Sequence, residues 1–198
     1  IQFIKTCKRF GNIWKSYQHK ELVKLAHRPE LKHIQTYWLY EVHLHDCTYI
    51  TDVSTLGTVH TLILDQCHYI TDVSALGSVH TLVLDWCQRL SDVTALGTVH
   101  NLTLTHSYRA NISALGTVPN LTLISYECID ATALGAVHTL TLNKCFIIDI
   151  GALKTVHTLT LIDCFTIKNE YCVMSELIDI TALDDVHILN VIYDDANY

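Results

Sequence analysis

From residue 39 onward the chain repeats itself, and a period of about twenty residues leaves few folds open to it. Val59-His60-Thr61-Leu62-Ile63-Leu64 returns as Val79-His80-Thr81-Leu82-Val83-Leu84, and again with small changes from Val99, Val118, Val137 and Val156. A worn copy opens at Leu39 and an unfinished one at Val186, so eight starts fall at 39, 59, 79, 99, 118, 137, 156 and 186. The intervals are 20, 20, 20, 19, 19, 19 and 30 residues. A unit this short cannot bury an apolar face alone. Its neighbours must complete the core, which makes the array a solenoid.

Within a unit, Leu62 and Leu64 sit two apart, so both point to one side of a short strand. Stacking copies turns them into ladders through Leu82 and Leu84, Leu102 and Leu104, Leu121 and Leu123, Leu140 and Leu142, and Leu159 and Leu161. The pattern Val59-x-x-Leu62-x-Leu64-x-x-Cys67 resembles the leucine-rich repeat. The expected fold is therefore an α/β leucine-rich-repeat solenoid. Short parallel strands line its concave face, short helical or 3-10 turns its convex face, and an α-helical segment precedes the array. In the returning half of a unit, Asp72 is placed to cap a turn through its side-chain oxygen, and Gly77 suits a left-handed residue ending it. Asp52, Asp92, Asp130, Asp149 and Asp179 recur seven residues before the next start, with Asn111 as the substitute.

Thirteen His and eight Cys invite a metal or catalytic reading, and the register removes it. Cys47, Cys67, Cys87, Cys145 and Cys164 occupy one position after the strand, with Ser107 and Tyr126 replacing them twice. Thiols stacked in single file about 5 Å apart are buried hydrophobes with weak donors. They do not converge tetrahedrally as zinc ligands do. Cys164 and Cys172 bracket a loop and are the pair worth a redox test. His60, His80, His100, His138, His157 and His187 stand second in their units, where Pro119 appears once, so they read as copied turn residues. No nucleophile-base pair and no Gly-rich phosphate loop is present. The expectations are no enzyme, no cofactor and no metal site.

What remains is the strand face. Residues flanking the ladder leucines point to the concave side, and the candidates among them are His43, His45, Asp65, Gln66, Asp85, Trp86, Thr105, His106, Asn143, Lys144 and Asp163. They are the candidate surface for a protein partner, with Trp86 the strongest anchor. The thirty-residue unit inserts a loop around Lys168–Met174, a second candidate contact. At the end of the chain, Ile188, Val191 and Ile192 threaten an exposed edge strand.

Charge divides the chain near Trp38. Residues 1–38 hold 8 Lys/Arg and 2 Asp/Glu, whereas residues 39–198 hold 5 and 18. An acidic array is a poor match for phosphate backbones, so no nucleic-acid partner is expected, and no apolar run is long enough to span a membrane. In the basic segment Phe3, Cys7, Phe10, Trp14 and Tyr17 form a stripe at helical spacing, and Pro29 opens another short turn or helix. Residues 1–38 are thus expected to be helical and to cap the array, which occupies residues 39–198.

Thr6-Cys7-Lys8-Arg9-Phe10, with Ile13-Trp14 and Leu22, resembles the second half of an F-box, and Cys67-x-x-Ile70-Thr71-Asp72 resembles the cysteine-containing repeats that follow F-boxes. The opening L-P-x-E helix of that family is absent before Ile1, and the units are shorter than its usual repeat. That resemblance implies the substrate receptor of a cullin-RING ubiquitin ligase. Cys7, Lys8, Arg9, Phe10 and Trp14 would then dock a SKP-family adaptor while the concave face holds the target. Ile70–Leu76 is also similar to the repeats of bacterial internalins, which implies an adhesin; a plain scaffold is the third alternative. Near-identical short units also resemble arrays of large DNA viruses of amoebae. The thiol file favours a reducing compartment, so the expected location is intracellular: cytoplasmic, or the host-cell cytoplasm if the source is viral.

Overall fold

The computed structural model describes residues 22–26, 41–46, 50–126, 128–167 and 178–193. Its twelve strands are β1 (Leu22–Ala26), β2 (Glu41–His45), β3 (Thr61–Asp65), β4 (Thr81–Asp85), β5 (Asn101–Thr105), β6 (Asn120–Ile124), β7 (Ile129–Asp130), β8 (Thr139–Asn143), β9 (Phe146–Ile148), β10 (Thr158–Ile162), β11 (Phe165–Thr166) and β12 (Ile188–Ile192). Nine of them form one parallel sheet in the order β1-β2-β3-β4-β5-β6-β8-β10-β12, the order of the chain itself. All eight starts read from the sequence lie two residues before a strand of this sheet. The register sets leucine on leucine: Leu62 opposite Leu82, and Leu64 opposite Leu84. The fold is a leucine-rich-repeat solenoid.

One expectation fails at the front of the array. Leu22–Ala26, within the segment expected to be helical, is a strand whose Leu22 pairs with Glu41 in the register of the other coils. Leu22 precedes Glu41 by nineteen residues, one repeat interval, but Val23-x-Leu25 carries none of the flanking Val-His or Cys signature. The rest of residues 1–38, with Pro29 and the stripe from Phe3 to Tyr17, lies outside the described residues.

Alternation decides burial. Along β3 to β10 of the large sheet the second and fourth residues are buried, and the first, third and fifth half-buried. Leu62, Leu64, Leu82 and Leu84 are wholly inaccessible. The other wall of the core comes from Ile70, Val73, Leu76 and Val79 and their copies. There the chain returns through 3-10 turns such as Ser74–Ser78, Thr94–Thr98 and Ala131–Leu134.

The caps follow the sequence reading with one exception. Asp52, Asp72 and Asp92 accept from the backbone N–H two residues on at 2.8 to 2.9 Å, and Asn111, Asp130 and Asp179 do so at 3.0 to 3.2 Å. Asp149 makes no such bond. Its backbone is left-handed (φ 53°), and Gly151 stands where the other units place a Ser or Thr, whose hydroxyl in several units also donates to the cap. Asn111→Ala should therefore cost about 1 kcal/mol in urea-unfolding free energy, whereas Asp149→Asn should stay within a few tenths.

The reading of Gly77 is overturned. Among the described glycines none has a positive φ, and the turn-ending Gly116 is right-handed at φ −60°. Glycine is required by the neighbouring coil. A Cβ on Gly77 would lie 2.5 Å from the carbonyl oxygen of Ala95. The hydroxyl that follows the glycine then ties coils together: Ser78 donates to the Gly57 carbonyl at 2.6 Å and Thr98 to that of Gly77 at 2.7 Å.

After the buried cysteine position the early units close with a turn, as Ile70 N–H donates to Cys67 O at 3.3 Å. The later units stay extended instead, and β11, β9 and β7 make a small parallel sheet. At the far end β12 is an edge strand with Ile188 45% and Ile192 50% exposed, as expected. The loop 168–177, Cys172 included, lies outside the described residues. Among those described, no helix is long and apolar enough to cross a membrane.

Candidate functional site

From β2 to β10 each strand of the large sheet offers three side chains outward, and the residue after it turns a corner. That corner is left-handed in every described coil from β2 to β10: Asp46, Gln66, Trp86, His106, Ser125, Lys144 and Asp163 have φ between 47° and 57°. The conformation lets the corner N–H extend the inter-strand ladder, Gln66 to Asp85 O at 2.9 Å and Trp86 to Thr105 O at 3.0 Å. It also swings the next residue inward. There Cys67, Cys87, Cys145 and Cys164 donate to carbonyls of the preceding coil, Leu44, Leu64, Leu123 and Leu142, at 3.8, 3.7, 3.5 and 3.2 Å.

Those thiols are structural. Burial pushes the Cys87 thiol up to about 12, and the hydrogen bond with Cys164 together with burial raises Cys145 as well, so neither is a thiolate at neutral pH. Ser107 takes the same place and donates to Thr105 O at 3.1 Å. Tyr126, the bulky substitute, is buried with no hydrogen-bond partner for its hydroxyl among the described residues. Its ring lies edge-on to Tyr108 at 6.1 Å. Cys47 is outside the described residues. Among those described, no group of three or more His, Cys, Asp or Glu is arranged to hold a metal ion.

The second-position histidines line the opposite rim as two stacks. His60 and His80 rings lie 4.5 Å apart, His80 and His100 4.8 Å, His138 and His157 4.6 Å, and His157 and His187 4.7 Å. Pro119 separates the stacks yet keeps the backbone role, since its carbonyl accepts from Thr139 N–H at 2.9 Å as His80 O accepts from Asn101. His80 also faces Thr81 and Asn101. Desolvation, then the neighbouring His60 and His100, hold its pKa below the usual 6.5. With the folded value depressed, the unfolded chain binds protons first as pH falls. Stability from the stack is therefore complete above about 6.5 and lost as pH drops through the folded value. Urea midpoints measured from pH 7.5 to 5 should fall for the wild type and fall less for His80→Asn. The capping Asp72, Asp92 and Asp130, held below 3.8 by their Ser or Thr hydroxyls, act in a separate and lower window.

The eleven candidate residues fall in three rows. His43 is the outward third residue of β2, and His45, Asp65, Asp85, Thr105 and Asn143 are the outward fifth residues of their strands. Gln66, Trp86, His106, Lys144 and Asp163 are corners rather than strand-face residues, a correction to their expected placement. The structure joins several of them. His45 Nδ1 bonds Asp65 Oδ2, Trp86 stacks on His106 at 4.3 Å, and His106 Nδ1 lies 3.6 Å from Asp85 Oδ1. Asn143, Lys144 and Asp163 are set apart from that cluster by the β6 coil. Sequence reasoning missed Tyr108, edge-on to His106 at 6.1 Å, and Arg89, whose guanidinium sits 4.6 Å above the Tyr69 ring. Both follow the buried position directly or by one residue, where successive units disagree: His68-Tyr69, Gln88-Arg89, Tyr108-Arg109.

No family model matches the chain, and no curated protein matches it in sequence. Solved structures do. Internalin C2 of Listeria monocytogenes superposes with a TM-score of 0.50 at 23% identity, over 77% of this chain and 71% of that one. An internalin (inlF) of the same organism gives 0.47 at 20% identity, over 79% of this chain and 48% of that one. The likeness is one of fold. The superposition on internalin C2 supports the solenoid fold described above, and the side chains of the face must speak for themselves.

Proposed function

We propose that the array is a protein–protein interaction module that binds its partner on the concave sheet face. The observation that carries this is the sheet itself: nine parallel strands in sequence order, with outward rows of half-buried side chains and Trp86 38% exposed at one border. A sheet surface of Thr, Asn, aliphatic and aromatic groups has no chemistry of its own, yet it suits a complementary protein surface. Photo-crosslinking tests the reading. A benzoylphenylalanine at Thr103, on the sheet face, should give a discrete adduct in source-cell extract that excess unlabelled chain competes away. The same group at Lys154, in the turn Ile150–Thr155, should give none. Equal labelling from both positions overturns the reading.

The finer role of ubiquitin-ligase receptor rests on the resemblance of Thr6–Phe10, Ile13-Trp14 and Leu22 to an F-box and of the Cys67–Asp72 stretch to the repeats that follow one; Thr6–Trp14 lies outside the described residues. Its test is capture of a SKP-family adaptor by the full chain, abolished by Phe10→Ala with Trp14→Ala. The scaffold or internalin-like reading draws on the fold shared with internalin C2. An intracellular location draws on the buried thiols Cys87, Cys145 and Cys164, which fit a reducing compartment.

A further inference from the structure

The outward rows do not vary alike. Among β3 to β10 the first row of the large sheet holds only Thr and Asn, and the third only Ile, Val and Thr. The fifth row already mixes Asp, Thr, Ile and Asn, and the corner row runs Asp, Gln, Trp, His, Ser, Lys, Asp from unit to unit. Duplication has kept the buried positions nearly identical, while difference rises toward the end of each strand where the corner begins. The corner is also the costliest place for such side chains. A left-handed backbone strains any residue with a Cβ and is most easily held by Gly or Asn, yet none of the seven corners carries either. A bulky residue such as Trp86 held at φ 53° is an outlier that calls for a function.

We propose that this corner row, centred on Trp86 and His106, is where the surface discriminates among proteins, and that it takes a segment presenting an Arg or Lys side chain. The proposal rests on the protein-binding reading above and narrows it. The indole is 38% exposed with one face on His106; Asp85 precedes it in the chain and pairs with Asp65 in the sheet, and those side chains keep 34% (Asp85) and 23% (Asp65) of their exposure. Asp85 Oδ1 has no hydrogen-bond partner among the described residues, since His106 Nδ1 stands too far off at 3.6 Å. That oxygen is buried, so a guanidinium on Trp86 would pair with the exposed remainder of the Asp85 carboxylate and join a cation–π contact to an ion pair. The charge agrees, because residues 39–198 carry 18 acidic against 5 basic side chains.

The probe is a random twelve-residue peptide library panned on the full chain. Selected peptides should be rich in Arg or Lys, and their affinity should fall at least tenfold on Trp86→Ala or Asp85→Asn while changing less than twofold on Thr141→Ala. Trp86→Asn guards against misfolding. It should lose binding as fully as Trp86→Ala, and Gln66→Asn, which relaxes the corner of the adjacent coil, should raise Tm by about 1–3 °C. Peptides that survive Trp86→Asn but are lost on Thr103→Ala overturn the proposal and leave protein binding on the sheet face intact. Acidic or purely apolar winners overturn the cationic partner. A lower Tm for Gln66→Asn removes the strain argument and overturns the proposal with it. No enrichment at all sinks both readings.

Discussion

Leu84→Ala lowers the unfolding free energy by about 3–4 kcal/mol, the middle of the range for a buried leucine truncation. Leu84 is wholly inaccessible, and in the sheet it lies between Leu64 and Leu104. The coils on both sides are held by ladder bonds, and the Cys87 thiol ties the Leu84 coil to the Leu64 carbonyl, so neither neighbour can collapse into the space. Leu189, which continues the neighbouring ladder of Leu82 and Leu159 onto the terminal strand β12, is only partly buried, so Leu189→Ala should cost less than half as much. In a linear array the central loss also weakens two interfaces, whereas the terminal loss weakens one. Urea unfolding of both variants checks this. Equal losses at the two positions would mean that the array does not derive its stability from stacking. Leu64→Ala combined with Leu84→Ala should be non-additive, because the two truncations open one shared cavity.

Much of this was legible before any coordinate was known, for a physical reason. A solenoid repeats its environment, so a residue's role is printed once per coil. Leu62 and Leu64 could be placed on the buried side by spacing, Cys67 beneath the corner by its replacement with Ser107, and Asp72 as a cap by recurrence. What repetition could not disclose is anything that depends on contact between coils. Gly77 looks the same in sequence whether it turns the chain or yields space to Ala95, and only the stacking distance separates the two. The strand at Leu22–Ala26 escaped because it joins the array by backbone pairing while lacking the array's signature. Trp86 was found as an exposed aromatic, but its strained backbone and its stack on His106 belong to the three-dimensional corner.

The glycines give the sharpest separation between a conformational and a steric requirement. Gly57 is buried, and a Cβ there would stand 2.1 Å from the carbonyl oxygen of Ala75 in the next coil. That atom is backbone, fixed by the turn Ser74–Ser78, and it cannot rotate away as a side chain would. The neighbouring coil must move instead, stretching the 2.6 Å bond from the Ser78 hydroxyl to the Gly57 carbonyl. Gly57→Ala should therefore cost about 3 kcal/mol or more, as overpacking of a rigid core does. Gly151 is the internal control. Its added Cβ meets nothing closer than Asp149 Oδ1 at 3.4 Å, and its φ is not positive. Gly151→Ala should raise stability by about 0.5 kcal/mol, because alanine restricts the unfolded chain without straining the folded one. Thermal unfolding of the pair decides the matter. If glycine served a left-handed turn end, the cost at Gly57 would be that of backbone strain alone, and Gly57→Asn would rescue it. Under the packing account Asn, larger than Ala, must be worse.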